Sequence, residues 1–246
     1  MSKKLITACL GALALAAFAL PANAFAVSAK LTHPTGTALA TGTKLTGTSI
    51  GTVALKTDDG SATLSECTTA ILTGSLTKNS AGHIEGNITT ATFFGAGAEF
   101  NGMNECVGLA GLGNLTPTTN GTHPVGTRTH GEDVAQGTPW CMTAGGELAA
   151  NTFTVRGGTC NEAARNITFI LDSTGAGECG YTRSTAITGT YTTDTSGEAI
   201  ATISPNATST FTREFGGVLC PTAGTLSMTF TLETDTSVSS DPVWIS

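Results

Sequence analysis

Short runs in which every second residue is apolar, each ended by Asp, Asn, Ser or Gly, recur through most of this chain of 246 residues. 'TVALKT' gives way to 'DDG' and then 'SATLSE'. 'ILTGSLT' is followed by 'KNSAG' and 'HIEGNITTATF', 'ITFILD' by 'STGAG', and 'AITGTYT' by 'TDTSG' and 'EAIATIS'; 'TLSMTFTLET' comes near the end. A period of two puts alternate side chains on opposite faces of an extended strand. Asp, Asn and Gly tolerate the positive φ of tight turns, so these stretches read as hairpins. Thr is abundant and β-branched, which favours a pleated strand over a helix. The fold expected is all-β, a sandwich or barrel-like set of antiparallel sheets.

Two stretches of the chain match in order. 'TVALKTDDGSATLSEC' and 'ITFILDSTGAGEC' each run strand, turn, then a Glu-Cys pair, Glu66-Cys67 and Glu178-Cys179. 'LTGSLTKNSAG' from Leu72 and 'ITGTYTTDTSG' from Ile187 follow them. Each copy then reaches a further cysteine, Cys106 at a separation of 39 and Cys220 at 41. The pattern predicts two internally repeated hairpin modules. The chain then divides into a leader at 1–24, an N-terminal segment with the first strands at 25–52, repeat 1 at 53–116, a Gly/Thr/Pro-rich connector at 117–150, and repeat 2 with the C-terminal strands at 151–246. Equivalent cysteines in two copies should make equivalent bonds, Cys67 with Cys106 and Cys179 with Cys220. Cys141 is then left for Cys160, closing a loop of about 20 residues worth near 3 kcal/mol.

The leader 'MSKKLITACLGALALAAFALPANA' has two lysines, an apolar run, Pro21 and the small-residue end Ala22-Asn23-Ala24. This is the pattern of a secretory signal peptide cut after Ala24, so the mature protein is expected to be secreted or held at the cell surface or envelope. Cys9 stands ahead of the apolar region, where a lipobox cysteine could not be used. Six cysteines remain after cleavage, an even number that suits an oxidising compartment and three disulfides. Cleavage also removes two of the 11 basic residues and none of the 18 acidic ones. Without clustered Lys, Arg and stacking aromatics the acidic mature chain is not expected to bind nucleic acid. No later run approaches the roughly 18 apolar residues of a spanning helix.

Side chains capable of chemistry crowd together once, in 'HPVGTRTHGED' within the connector. His123 and His130 with Glu132 or Asp133 form a set that could ligate a metal if the loop brought them together; otherwise the segment is a solvated polar loop. Arg128 in this loop and Trp140 in 'TPWCM' are the candidate ligand contacts, Trp140 either as an aromatic platform or as a core residue beside a disulfide. Trp244 reads as the inward residue of a last strand. 'GTSIG' matches the nucleophile-elbow pattern at Ser49, but a strand and hairpin follow where that elbow needs a helix. The Asp58-Asp59 pair falls in a turn, and the sequons at Asn87, Asn114, Asn120, Asn166 and Asn206 are what Thr-rich sequence yields by chance. No catalytic residue and no cofactor is assigned.

The runs 'TPWCM', 'FTVRGGTC', 'FILDSTGAGEC' and 'LSMTFTLETDT' resemble a group of exported bacterial Thr/Gly-rich all-β proteins of undefined function. The Thr/Gly character and the Pro-Trp pair are also similar to the secreted alkane-oxidation activators, which are associated with surfaces and biofilms. Neither resemblance brings catalytic residues. The leading functional expectation is a non-enzymatic extracellular or cell-envelope protein, adhesin-like or a matrix component, binding a surface polymer, glycan or hydrophobic ligand. A secreted metal-binding protein or hydrolase using residues 123–133 is the alternative. An outer-membrane barrel ranks last, because aromatic girdles and a terminal aromatic are missing from the sequence.

Overall fold

Alternating Thr and apolar residues build strands here because each Thr presents a hydroxyl to solvent while its neighbour packs inward, a division only an extended chain permits. A computed structural model describes residues 29–95, 99–100, 103–104, 106–108, 115–118, 138–146, 148, 151–173, 177–235 and 240–246. Its strands are β1 (Leu31–Thr32), β2 (Lys44–Ser49), β3 (Val53–Thr57), β4 (Thr63–Cys67), β5 (Thr69–Ser80), β6 (His83–Phe94), β7 (Glu99–Phe100), β8 (Met103–Asn104), β9 (Val107–Gly108) and β10 (Leu115–Thr118). There follow β11 (Trp140–Gly145), β12 (Thr152–Gly157), β13 (Ile167–Ser173), β14 (Gly177–Arg183), β15 (Ile187–Thr193), β16 (Ala199–Ile203), β17 (Thr210–Phe215), β18 (Ala223–Asp235), β19 (Ser240–Pro242) and β20 (Trp244–Ile245). One 3-10 turn, Ala207–Ser209, is capped by Asn206. No α-helix occurs among the described residues, and none there is long and apolar enough to cross a membrane.

Eight antiparallel strands close on themselves in the order β2-β5-β6-β11-β12-β15-β16-β18, with β18 returning to β2. Phe230 pairs with Ser49 and Thr234 with Leu45 at this seam, so closure joins the two ends of the chain. The fold class expected from sequence as sandwich or barrel is thus a barrel. A second sheet, β10-β13-β14-β17-β18-β3-β4-β9, stacks on one end of it. β18 serves both: Gly224–Ser227 pair with β3, while Met228–Thr231 pair with β16. The span read as a connector, 117–150, contributes the barrel stave β11.

The turns follow the local chemistry. In the β3–β4 hairpin Asp59 Oδ1 accepts hydrogen bonds from Thr57 Oγ1 (2.6 Å), the Ser61 amide (2.9 Å) and Ser61 Oγ (2.7 Å). Asp194 plays the same part in the β15–β16 turn, accepting from the Ser196 and Glu198 amides at 2.8 Å each. The β5–β6 hairpin is tighter than 'KNSAG' implied, since Lys78–Ser80 stay in strand and Gly82 takes φ 73°. A bulge between Thr73 and Gly74 brings the backbones so close that a Cβ at Gly74 would lie 2.1 Å from the Asn87 carbonyl.

Three disulfides staple the sheets: Cys67–Cys106, Cys141–Cys160 and Cys179–Cys220. These are the pairs expected from the matched cysteines of the two repeats, and they fit an oxidising compartment. At the end of the barrel away from the second sheet, β1 pairs with β20, and Lys30 and Ser246 exchange backbone bonds of 2.9 and 3.0 Å. Asn79 ties this ribbon down, accepting from the Leu31 amide (2.9 Å) and donating to the Leu31 and Leu39 carbonyls (2.7 and 2.9 Å).

Candidate functional site

The barrel offers two surfaces, and strand alternation assigns each residue to one of them. Leu45 on β2, Phe153 and Val155 on β12, and Met228 and Phe230 on β18 face inward and pack as core. The intervening residues face out, and most are Thr. Cross-strand pairing lines them up: Thr152, Thr190, Thr202 and Thr229 stand directly opposite one another across four staves. A second row runs Thr192, Ile200, Thr231, Thr48, Ile71 and Thr92 across six. A third joins Thr46, Thr73 and Thr90. Neighbouring strands are about 4.8 Å apart and same-face residues about 6.8 Å apart along a strand, so the hydroxyls and methyls form a two-dimensional net. The Thr202 and Thr229 hydroxyls bond to each other at 3.3 Å, and the hydroxyls of Thr73 and Thr90 are also bonded to each other. No residue of β15 or β16 is charged.

Inside, all eight staves contribute to a cavity of about 70 Å³ lined by apolar side chains. Phe169, reaching in from β13, closes it toward the second sheet; its ring lies 5.9 Å from that of Trp140, 5.9 Å from Phe93 and 5.1 Å from Phe211, centroid to centroid. Met142, Phe153 and Leu232 separate the cavity from a smaller void of about 30 Å³ beneath the β1–β20 ribbon. Beyond Tyr191 and Ile245 an open groove of about 420 Å³ carries the neutral polar groups of Asn151, Thr192 and Thr193.

Trp140 lines the main cavity and is 2% exposed, so it is a core residue and not a surface platform. It packs on Phe169, while Cys141, next along the strand, faces the other way. Its Nε1 is buried with no hydrogen-bond partner, a condition that costs about 1–3 kcal/mol. Gly47 also lines this cavity. A Cβ there would make ordinary contacts with Leu232 Cδ2 (3.5 Å), Leu72 Cβ (3.7 Å) and Phe230 Cδ1 (3.7 Å).

His123, Arg128, His130, Glu132 and Asp133 lie outside the described residues. Among those described, no group of three or more His, Cys, Asp or Glu could hold a metal. Ser49 ends a barrel strand and its Oγ accepts the Ala70 amide at 2.9 Å, a structural bond in place of a nucleophile's setting. Trp244 is half-buried on β20, its ring over the Gly197 turn. Asn87 Oδ1 accepts the Cys160 amide at 2.8 Å, beside the Cys141–Cys160 bridge.

Ionisation follows local bonding. Hydrogen bonds from Thr57 and Ser61 bring the Asp59 carboxyl down to about 2, and those from Ser196 and Glu198 lower Asp194. Burial pushes the Tyr181 phenol up to about 12 and raises Tyr191, which borders the smaller void. Burial, then the nearby Asp194 and Glu233, raise Glu198.

Sequence reasoning did not single out Gly47, Phe169 or Met142. The signal that could have found Gly47 was its place in the Leu45, Gly47, Ser49 alternation, where an inward position has no side chain. No protein-family model, curated protein or solved structure matches the chain.

Proposed function

We propose that this is an exported, non-enzymatic protein of the extracellular space or cell envelope, released from its leader after Ala24, with an adhesin-like or matrix role. Its binding surface is the Thr-paved exterior of the barrel, and its partner is a neutral surface polymer such as a glycan. The observation that carries this reading is the alignment of outward Thr side chains in rows, one of Thr alone across four staves and one of four Thr and two Ile across six. Each Thr offers a hydroxyl to a sugar hydroxyl and a methyl to a sugar C–H face. Adsorption along the row Thr152, Thr190, Thr202 and Thr229 desolvates no charge of its own. The barrel's polarity, apolar inside and hydroxylated outside, is that of a barrel surrounded by water and the reverse of a lipid-facing one. The three disulfides suit an oxidising environment.

The two modules, 53–116 and 151–246, are in our reading copies of one unit. In each the first hairpin, β3–β4 or β13–β14, belongs to the second sheet and the next, β5–β6 or β15–β16, to the barrel. In each, a disulfide ties the first hairpin to a cysteine about 40 residues on.

The test is fractionation of the producing cells combined with adsorption of the mature protein, residues 25–246, to insoluble polysaccharides. Recovery outside the inner membrane and saturable adsorption that persists from low to high salt are expected. Cytosolic recovery with intact Lys3 and Lys4, or adsorption abolished by salt, would overturn the reading.

A further inference from the structure

The Thr net stops at one corner of the barrel, and a groove opens where it stops. β12 begins at Thr152, which stands opposite Thr190, so no residue of β12 faces Thr192 further along β15. In that place lies the open groove of about 420 Å³, bordered by Asn151, Thr192 and Thr193 together with Tyr191, Ile245 and Ala29. Its volume falls within the range of about 300–1,000 Å³ that small-molecule sites occupy. Thr192 is also the first member of the row that continues through Ile200, Thr231 and Thr48, so the row leads into the groove.

The lining suits one chemistry. Thr192, Thr193 and Tyr191 carry hydroxyls and Asn151 a carboxamide, groups that both donate and accept. Among the described residues none of these four side chains spends that capacity on a protein partner. Two of them are fixed in place. Tyr191 is 8% exposed and also borders the apolar void under the β1–β20 ribbon, and burial keeps its phenol neutral. Asn151 takes φ 58°, and its carbonyl accepts the Tyr191 amide at 2.9 Å, which holds the two residues side by side. Ile245 and Ala29 add an apolar flank. No Lys, Arg, Asp or Glu side chain borders the groove to pair with an ionised ligand. An alkyl chain would leave the hydroxyls and the carboxamide without partners. A ligand with several hydroxyls beside a C–H face satisfies both parts of the lining.

We propose that this groove is a saccharide subsite that seats one or two sugar units of a neutral glycan whose chain continues along the Thr rows. The proposal rests on the neutral-glycan reading of the exterior and adds a fixed point to it. Rows of identical Thr let a polymer slide from one register to the next, whereas the Asn151 carboxamide and the Tyr191 hydroxyl occur once and hold one unit in place.

The experiment titrates the mature, disulfide-intact protein with cellobiose, cellotetraose, maltose and maltotetraose, with digalacturonic acid as the acidic control, and follows the Asn151 side-chain amide by NMR. Asn151→Gly, which tolerates the positive φ, assigns that amide and removes it. At least one neutral oligosaccharide should move the resonance saturably, and the acidic sugar should not. Asn151→Gly and Tyr191→Phe should each weaken binding about three- to tenfold, the worth of one hydrogen bond. Thr46→Glu, in the row of Thr73 and Thr90 away from the groove, should leave oligosaccharide binding unchanged. The proposal is overturned if no neutral oligosaccharide shifts the Asn151 amide in the folded protein, if the acidic sugar binds as well, or if both groove variants bind as wild type. Binding that appears only after residues 25–28 are removed would also overturn it, by giving the groove to the chain's own N-terminal end. Adsorption to insoluble polysaccharide separates the two readings, since Asn151→Gly/Tyr191→Phe should still adsorb through the Thr rows. Wild-type adsorption without an Asn151 response sinks the groove and spares the exterior, and an Asn151 response without adsorption does the reverse.

Discussion

Two glycines of one barrel should respond to the same substitution with opposite sign. At Gly47 an added methyl would make ordinary van der Waals contacts, 3.5–3.7 Å from Leu232, Leu72 and Phe230. Burying a methyl group contributes about 0.8 kcal/mol. Replacing Gly by Ala at a backbone position Ala can adopt adds about 0.4–1 kcal/mol, because the unfolded chain has fewer states to lose. Gly47→Ala should therefore stabilise by about 1.2–1.8 kcal/mol, or about 2–7 °C in Tm for a chain of this size. At Gly189 the methyl would lie 2.3 Å from Phe153 Cζ and 2.6 Å from the Thr202 carbonyl oxygen. One obstacle is a packed ring and the other backbone, so neither yields cheaply. Overpacking of this kind costs about 1–3 kcal/mol, which exceeds the entropic gain. Calorimetry of the two variants with disulfides intact is the assay. A lower Tm for Gly47→Ala, or an unchanged one for Gly189→Ala, would refute the barrel interior as described.

Other consequences follow from the same structure. Replacing Cys141 and Cys160 together by Ala, which opens the bridge of separation 19, should cost about 3 kcal/mol by loop entropy. The pairs separated by 39 and 41 should each cost about 4 kcal/mol, and denaturant melts that reverse this order would contradict the loop argument. The Asp59 carboxyl is depressed in the folded protein, so its contribution is complete above its ordinary value of 3.8 and is lost as pH falls through about 2. Tm should fall across that window, and Asp59→Asn should flatten the profile. The chain has two Tyr, and both phenols are raised by burial. Absorbance titration of the folded protein should show no ordinary phenolate step near pH 10. The stability these groups contribute is complete below pH 10 and lost as pH rises above it, for Tyr181 toward about 12.

The hairpins were legible because their information is local. 'TDDGS' and 'TDTSG' hold Asp where one carboxylate can satisfy several turn donors, and the structure uses Asp59 and Asp194 in that way. Barrel closure was not legible, since the Thr48 and Thr231 partners lie 183 residues apart and nothing local links them. β11 was hidden for a different reason. Trp140, Met142 and Ala144 give only three inward positions, and the residues before them carry no period, so a stave read as part of a connector. The role of β18 as the strand common to both sheets depends on where its neighbours end, which its own alternation cannot express. As for the site, residue type drew attention to His123 and His130, whereas the barrel's features are a missing side chain at Gly47 and an unsatisfied donor on Trp140. Such features are properties of packing, and a sequence pattern does not register them.

The account's central claim is that the neutral Thr exterior is the working surface. Thr190 and Thr192 are exposed on β15, a strand without charge, and they sit in two different rows of the net. The most direct measurement is the adsorption isotherm of the mature protein on an insoluble neutral polysaccharide, compared with that of Thr190→Glu/Thr192→Glu. The account predicts a folded variant with its disulfides in place and adsorption weakened at least tenfold, because two carboxylates would have to be desolvated against an uncharged partner. Equal adsorption by the folded variant and the wild type would contradict it.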